Sequence, residues 1–365
     1  MSTYRVAVVG ATGAVGTVML AKLRERGFPA SEIVPFASAR SAGKELEGFG
    51  TIQPLTDETI QGFDLAIFSA GATTSGEWAP RFVEAGCVVV DNSSKWRRDD
   101  EIPLVVSEVN PHALERHQGL IANPNCSTMQ LMVALKPIHQ RAGIERLIVS
   151  TYQSVSGTGV KAVAELEEQT HAVLHGMEPG EPQVYPHPIA FNVLGGAGNF
   201  ADGDDHTDEE RKMMFETRKI LGDESIAINV TCARVPVRNC HSESVTLQTR
   251  EPLSVEEARA LLEGMDGLAM VDDPAAHAYP TALGSAGRDE VFVGRLRRDP
   301  SHERGLCLWV VSDNLLKGAA TNAVQIAEVL HERGLISSRA AACTTGRRTR
   351  VDTRSSRSPS TSRSH

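Results

Sequence analysis

Two residues of this chain carry the types and settings that thiol chemistry needs. Cys126 stands in Asn123-Pro124-Asn125-Cys126-Ser127-Thr128, between the apolar pair Leu120-Ile121 and a helical stretch that begins near Ser127. A cysteine at a helix N-terminus feels the positive end of the helix dipole and its free N–H groups. Both lower its pKa and favour the nucleophilic thiolate. His241 stands in Arg234-Val235-Pro236-Val237-Arg238-Asn239-Cys240-His241-Ser242-Glu243, read as a polar turn between two strands. From such a turn a histidine reaches a cleft and serves as general acid or base. Cys87, Cys232 and Cys307 lie inside apolar runs and read as core residues, which leaves Cys126 as the outlier. Spacing alone does not join His241 to Cys126, and the chain has 12 histidines.

These residues need a scaffold, and the first third of the chain describes one. Short apolar runs at 4–9, 33–37, 65–69 and 87–90 alternate with helical stretches at 15–26 and 79–85, the pattern of a parallel, doubly wound sheet. Between the first strand and the first helix stands Gly10-Ala11-Thr12-Gly13-Ala14-Val15-Gly16, a GxxGxxG variant of the dinucleotide fingerprint. Glycines there let the backbone approach a pyrophosphate, whose charge the helix N-terminus favours. After the second strand comes Ala37-Ser38-Ala39-Arg40-Ser41, where NAD-binding sheets usually carry an acidic residue. An arginine flanked by serines suits a 2′-phosphate, so NADP is the expected cofactor. A packing turn and an exposed polar loop are the alternative explanations of these two stretches.

Past residue 130 the pattern becomes strand-rich, with strands expected near 146–154, 226–237, 243–250, 268–272, 290–297 and 306–311. A Gly/Pro/Asp-rich excursion covers 176–206, and apolar residues at helical spacing mark a helix over 314–333. The 365 residues suit two domains, and 41% hydrophobic with 23% charged residues is a globular composition. A formal charge of -9 argues against nucleic-acid or membrane-surface partners. No apolar run is long enough to span a bilayer and no secretory signal is evident, so a cytoplasmic location is expected. The six cysteines show no CxxC pair, so neither a metal site nor a disulfide framework is expected. From Ser337 the Arg/Ser/Thr-rich composition predicts a disordered tail over 337–365.

The loop G-A-T-G-A-V-G, the S-A-R-S turn, D-N-S-S-x-W-R, V-V-S-E-V-N, N-P-N-C-S-T, Y-Q-S-V-S-G, P-I-A-F-N-V, R-V-P-V-x-x-x-H-S-E and D-N-L-x-K-G-A-A follow one another in this order. Together, over roughly residues 4–333, they closely resemble the aspartate-semialdehyde dehydrogenases of bacterial type. The resemblance implies a Rossmann-like nucleotide domain over 1–128, completed by a C-terminal helix at 314–335. A mixed α+β catalytic and dimerisation domain would cover 129–313, and a homodimer is expected. It implies NADPH-dependent reduction of β-aspartyl phosphate to the semialdehyde with phosphate release, on the route to lysine, diaminopimelate, methionine and threonine.

The same resemblance assigns roles. Cys126 would be the nucleophile that carries a thioester, His241 the acid/base, and Gln153 the residue orienting the acyl group. Arg234 would clamp the substrate carboxylate, Arg97 and Lys212 the phosphate, and Glu209 the amine. Gly10, Thr12, Gly13, Ala14, Val15, Ser38, Arg40 and Ser41 would hold the cofactor, with Asn92, Ser156, Gly157 and Asn314 near the nicotinamide. Backbone N–H groups at the helix start beside Cys126 are expected to stabilise the oxyanion. Locally, Arg97 beside Arg98 also fits a solvated surface, Gln153 an edge position, and Lys212 an i, i+4 pair with Asp208. Cys240, next to His241, raises the idea of an oxidative link to Cys126. The rival readings are N-acetyl-glutamyl-phosphate reductase, whose motifs differ at these places, and a non-catalytic NADP-binding sensor, which would not need the cysteine, histidine and arginine together.

Overall fold

The computed structural model describes residues 3–336, so the tail expected to be disordered, 337–365, lies outside the described residues. The first half runs β1 (Tyr4–Val9), α1 (Ala14–Glu25), β2 (Ala30–Phe36), a small hairpin of β3 (Glu45–Leu46) and β4 (Gly50–Thr51), β5 (Leu65–Phe68), α2 (Gly71–Glu84), β6 (Val88–Asp91) and β7 (Leu120–Ala122). The sheet order is β2-β1-β5-β6-β7, with every pair parallel. The run from Val6 to Val9 is apolar throughout because both faces of the sheet are covered. Met19, Leu20 and Leu23 of α1 pack on Val6 and Val8, whereas Ala79 and Phe82 of α2 pack with Ala7 and Val9.

The second half contains α3 (Cys126–Ala142), β8 (Ile144–Gln153), α4 (Val160–Leu174), α5 (Asp208–Leu221), β9 (Ala227–Arg234), β10 (His241–Thr249), α6 (Val255–Glu263), β11 (Leu268–Met270), the single turn α7 (Ala282–Ser285), β12 (Val291–Arg298) and β13 (Gly305–Ser312). Its strands form a mixed sheet of order β11-β12-β13-β10-β8-β9. Helix α3 leaves the end of β7 and enters the core beneath that sheet. Leu131, Met132, Val133, Leu135 and Ile138 are all buried there with Leu147, Val245 and Val310. Residues 127–135 of this helix are buried on every side, and this burial pins the Cys126 end at the junction of the two sheets.

The chain then returns to the first sheet. Helix α8 (Thr321–Glu332) lays Ala323, Ile326, Ala327 and Leu330 into the same core as α1. Burying a leucine such as Leu330, with no exposed surface, contributes about 1.5–3 kcal/mol. The helix expected from Asn314 does not start there. Leu316–Ala320 is a π-turn, with Gly318 N–H bonded to Asp313 O (3.1 Å) and Ala320 N–H to Leu315 O (3.1 Å). Two constraints account for the bulge. Lys317 is fully buried with its ammonium on Glu108, Gln325, Asn322 and Ser107. Gly318 lies so close to α3 that a Cβ would stand 2.9 Å from the Cys126 Cβ. A π-bulge beside a functional site is a common use of that element.

Candidate active site

Helix α3 is capped by the residue before the cysteine. The Asn125 side chain accepts hydrogen bonds from the amides of Ser127 (3.0 Å) and Thr128 (3.2 Å). Those two donors are engaged by the cap. Asn125 is itself held from α5. Its amide N–H donates to Glu216 Oε2 (2.6 Å) and its side-chain Nδ2 to Glu209 Oε1 (2.7 Å).

His241 opens β10 and has no exposed surface, so it does not sit in a polar turn as the sequence pattern predicts. The turn ends one residue earlier, at Cys240, whose φ of 73° is left-handed and rare for a residue with a side chain. The imidazole Nε2 lies 3.2 Å from Cys126 Sγ. On its other side, Nδ1 accepts the Ser154 amide N–H at 3.0 Å. Gly157 packs against the same ring, where a Cβ would stand 3.0 Å from Cε1.

The helix-dipole argument predicts an available thiolate, and enclosure in the cleft acts in the opposite direction. Burial pushes the Cys126 thiol up to about 12, and the Glu209 charge adds to the rise; Arg234, Arg97 and the Ser127 amide pull it down only in part. Burial likewise takes His241 down to about 3, helped by the Arg234 charge and opposed by the Cys240 backbone. Desolvation works against the dipole here, raising the thiol and lowering the imidazole, and both shifts favour the uncharged forms. Cys240 is no better suited to oxidation, because burial and Asp313 raise its thiol to about 12 and it is almost fully enclosed.

Around this pair a cleft of about 250 Å³ gathers Arg97, Gln153, Glu209, Lys212 and Arg234, and it is also lined by Val15, Asn92, Ser156, Gly157 and Asn314. Gln153, at the end of β8, donates to Ser127 Oγ (3.1 Å) and Glu209 Oε1 (3.3 Å). Arg97 spans Glu216 (3.1 Å) and the Asn92 carbonyl (2.8 Å), both contacts away from bulk water. Lys212 does make the i, i+4 pair with Asp208 (2.7 Å), and it also touches Glu209 (3.3 Å). Arg234 donates to the Ser154 carbonyl (2.7 Å), its buried Nε has no partner, and among the described residues no carboxylate lies within ion-pair distance.

A second cavity, about 470 Å³, is lined by Gly10, Thr12, Gly13 and Ser38 at the C-terminal edge of the parallel sheet. Gly10 has φ +87°, and a Cβ there would stand 2.3 Å from the Ser69 carbonyl oxygen, so only glycine fits. Glycine there lets the loop pack against Ser69, and with Thr12 and Gly13 lining the cavity at the start of α1 the loop fits a dinucleotide pyrophosphate. Arg40 is exposed in the same turn as Ser38, whereas Ala14, Arg40 and Ser41 line neither cavity. Among the described residues no group of three or more His, Cys, Asp or Glu could hold a metal ion, and no helix is long and apolar enough to cross a membrane.

Sequence reasoning missed Glu216, Asn125 and Ser154. A signal existed for Glu216: Glu209, Lys212 and Glu216 fall at i, i+3 and i+7 of α5, one face of a helix. Ser154 gave none, because its contact with His241 depends on how β8 and β10 pair, Ser242 standing opposite Tyr152.

Two family models match the chain. One is described as the semialdehyde dehydrogenase NAD binding domain, over residues 5–117, and the other as the semialdehyde dehydrogenase dimerisation domain, over residues 135–317. An aspartate-semialdehyde dehydrogenase of Aquifex aeolicus is 52% identical over 339 residues, covering 91% of this chain and 99% of that protein. The crystal structure of aspartate semialdehyde dehydrogenase II from Vibrio cholerae, complexed with ASA, is similar at a TM-score of 0.86 and 46% identity, covering 91% of this chain and 99% of the other. The Candida albicans enzyme with NADP matches at a TM-score of 0.71 and 27% identity, covering 92% and 100%. A dinucleotide-fitting glycine loop, a cysteine–histidine pair in a cationic cleft and likeness along nine-tenths of its length lead to one conclusion: the chain belongs to the aspartate-semialdehyde dehydrogenase family.

Proposed function

We propose that this protein catalyses the reversible, NADP-dependent interconversion of β-aspartyl phosphate and aspartate 4-semialdehyde plus phosphate. The observation that carries the reading is Cys126 Sγ at 3.2 Å from His241 Nε2, in a cleft rich in arginine and lysine beside a dinucleotide loop. In the reducing direction Sγ attacks the β-acyl carbon, the C–O bond to phosphate breaks, and the thiol proton passes to His241 Nε2. The product is a thioester on Cys126. NADPH, when bound along Gly10, Thr12, Gly13, Ala14, Val15 and the Ser38–Ser41 turn, supplies the hydride that lowers the thioester to the aldehyde level. Arg40 in that turn would hold the 2′-phosphate, and Asn92, Ser156, Gly157 and Asn314 would hold the nicotinamide end.

Arg234, with unspent donors and no carboxylate partner, takes the substrate carboxylate as a bidentate pair. Arg97 and Lys212 take the phosphate, Glu209 the amine, and Gln153 orients the acyl group through its side-chain amide. The protein acts as a cytoplasmic homodimer through the outer face of the mixed sheet, where Tyr152 and Tyr279 are 39% and 45% exposed. Light scattering after gel filtration tests the dimer; a monomer at micromolar concentration contradicts it. The activity is tested by phosphate-dependent reduction of NADP with aspartate semialdehyde. Wild type is expected to turn over, and Cys126→Ala to lose at least about a thousandfold. Activity only with N-acetyl-glutamate semialdehyde would overturn the substrate, and full activity of Cys126→Ala the mechanism.

A further inference from the structure

We propose that Ser154, backed by Asn314 and Ser156, is a positioning residue that decides which nitrogen of His241 carries the proton, and so whether His241 can act on Cys126. The proposal rests on the reading of His241 as the base for Cys126.

The argument begins at Nδ1, which has two neighbours from one residue: the Ser154 amide N–H at 3.0 Å and the Ser154 hydroxyl Oγ at 3.2 Å. An amide N–H can only donate. While it engages Nδ1, the proton of the neutral ring must sit on Nε2, facing Sγ. That tautomer has no lone pair to receive the thiol proton. The working tautomer has its proton on Nδ1, where Ser154 Oγ is the side-chain acceptor, beside the Cys240 backbone.

Asn314 makes the hydroxyl an acceptor. Its Oδ1 lies 3.0 Å from Ser154 Oγ and receives the serine proton, which leaves the oxygen lone pairs free for Nδ1–H. The amide cannot flip without cost, because Cys240 N–H also donates to Oδ1 at 2.9 Å and Nδ2 donates to Ser156 Oγ at 2.9 Å. The left-handed turn at Cys240 aims that N–H. Ser154 and His241 are fully buried, and Asn314 is 3% and Ser156 5% exposed, so water does not replace these partners. Arg234 disfavours a second proton on the ring, which makes exchange of the tautomer the cheaper change.

The exchange balances. Ser156 lines the cleft and its Oγ lies 3.2 Å from Ser154 Oγ. A cleft water gives a proton to Ser156, Ser156 passes its own to Ser154, and Ser154 passes its own to Nδ1. The Nε2 proton leaves to cleft water, so the net charge is unchanged.

The test is alkylation of Cys126 by iodoacetamide, which needs no substrate and therefore stands or falls apart from the proposed reaction. In Ser154→Ala the ring is held by the amide alone. Alkylation at neutral pH should slow about tenfold, the weight of one lost hydrogen bond, with kcat falling and KM within about twofold. Side-chain ¹⁵N NMR should show Nδ1 of His241 unprotonated throughout, while Ser154→Thr restores the hydroxyl and the rate. Wild-type alkylation and an unchanged pH profile in Ser154→Ala would overturn the proposal. If that variant does not fold, Asn314→Asp, a stronger acceptor, should speed alkylation, and an unchanged rate would overturn the proposal equally.

Discussion

Lys317 and Arg234 are both buried cations close to the catalytic helix, and they are solvated by the protein in opposite ways. The Lys317 ammonium has more acceptors than protons: Glu108 Oε2 at 2.5 Å, Gln325 Oε1 at 2.7 Å, Asn322 Oδ1 at 3.1 Å and Ser107 Oγ at 3.4 Å. Arg234 spends one nitrogen on the Ser154 carbonyl, and its Nε is buried without a partner. A charge removed from water must be repaid somewhere. Where the fold repays it in full, the residue is a fastener, here between the π-turn and the loop after β6. Where the fold sets a cation in a cleft wall with no carboxylate in reach among the described residues, as at Arg234, the position suits the substrate carboxylate proposed above. Arg97 lies between the two, with Glu216 and the Asn92 carbonyl engaged and Nε left over.

Substitution should split the two cations cleanly. Lys317→Met strands Glu108 and should cost about 3–5 kcal/mol in urea unfolding, with the double variant Lys317→Met/Glu108→Leu recovering much of it. An unfolding midpoint equal to wild type would remove the fastener reading. Arg234→Leu should leave the midpoint within about 1 kcal/mol of wild type but lower kcat/KM about 10- to 100-fold, the worth of a charge-assisted pair. A large loss of stability without loss of kcat/KM would invert the comparison. Gly318→Ala probes what the fastener holds: the new Cβ meets Cys126 at 2.9 Å, so about 1–3 kcal/mol of overpacking should appear mainly in kcat.

Glu243 sharpens the contrast from the carboxylate side. It is fully buried, neither oxygen has a hydrogen-bond partner, and burial raises its pKa well above 4.5 despite the nearby Gln130 amide. Between the unfolded value and the folded one the native state holds a proton that the unfolded chain releases, so stability falls as pH rises. Glu243→Gln should therefore match wild type below about pH 4 and grow more stable than wild type toward pH 8. Parallel stability curves for the two proteins across that range would mean Glu243 is ionised in the fold.

Much of the fold is legible in the chain, because the runs at 6–9, 65–68 and 88–90 are apolar without interruption, as a doubly covered parallel sheet requires. The cysteine and histidine are legible as types in context. Their electrostatics are not, since burial is a tertiary property and raises the Cys126 thiol, opposite to the fall that the helix start alone predicts. The π-turn escapes for the same reason. Asn314 to Arg333 has helical periodicity throughout, and only the tight approach of Gly318 to Cys126 and the enclosure of Lys317 call for the extra residue. His241 reads as a turn residue because its neighbours are polar, yet those neighbours bend the chain so that the ring enters the cleft wall.

The central claim is that Cys126 carries the acyl group while Arg234 and its neighbours hold the rest of the substrate. Its most direct test is to incubate the protein with aspartate semialdehyde and NADP without phosphate, quench in acid, and map the adduct by peptide mass spectrometry. Without phosphate the thioester has no acceptor but water and should accumulate, so an aspartyl group is expected on the peptide containing Cys126, lost on adding phosphate. NADPH formation with Cys126 left unmodified, or an adduct on another residue, would contradict the account.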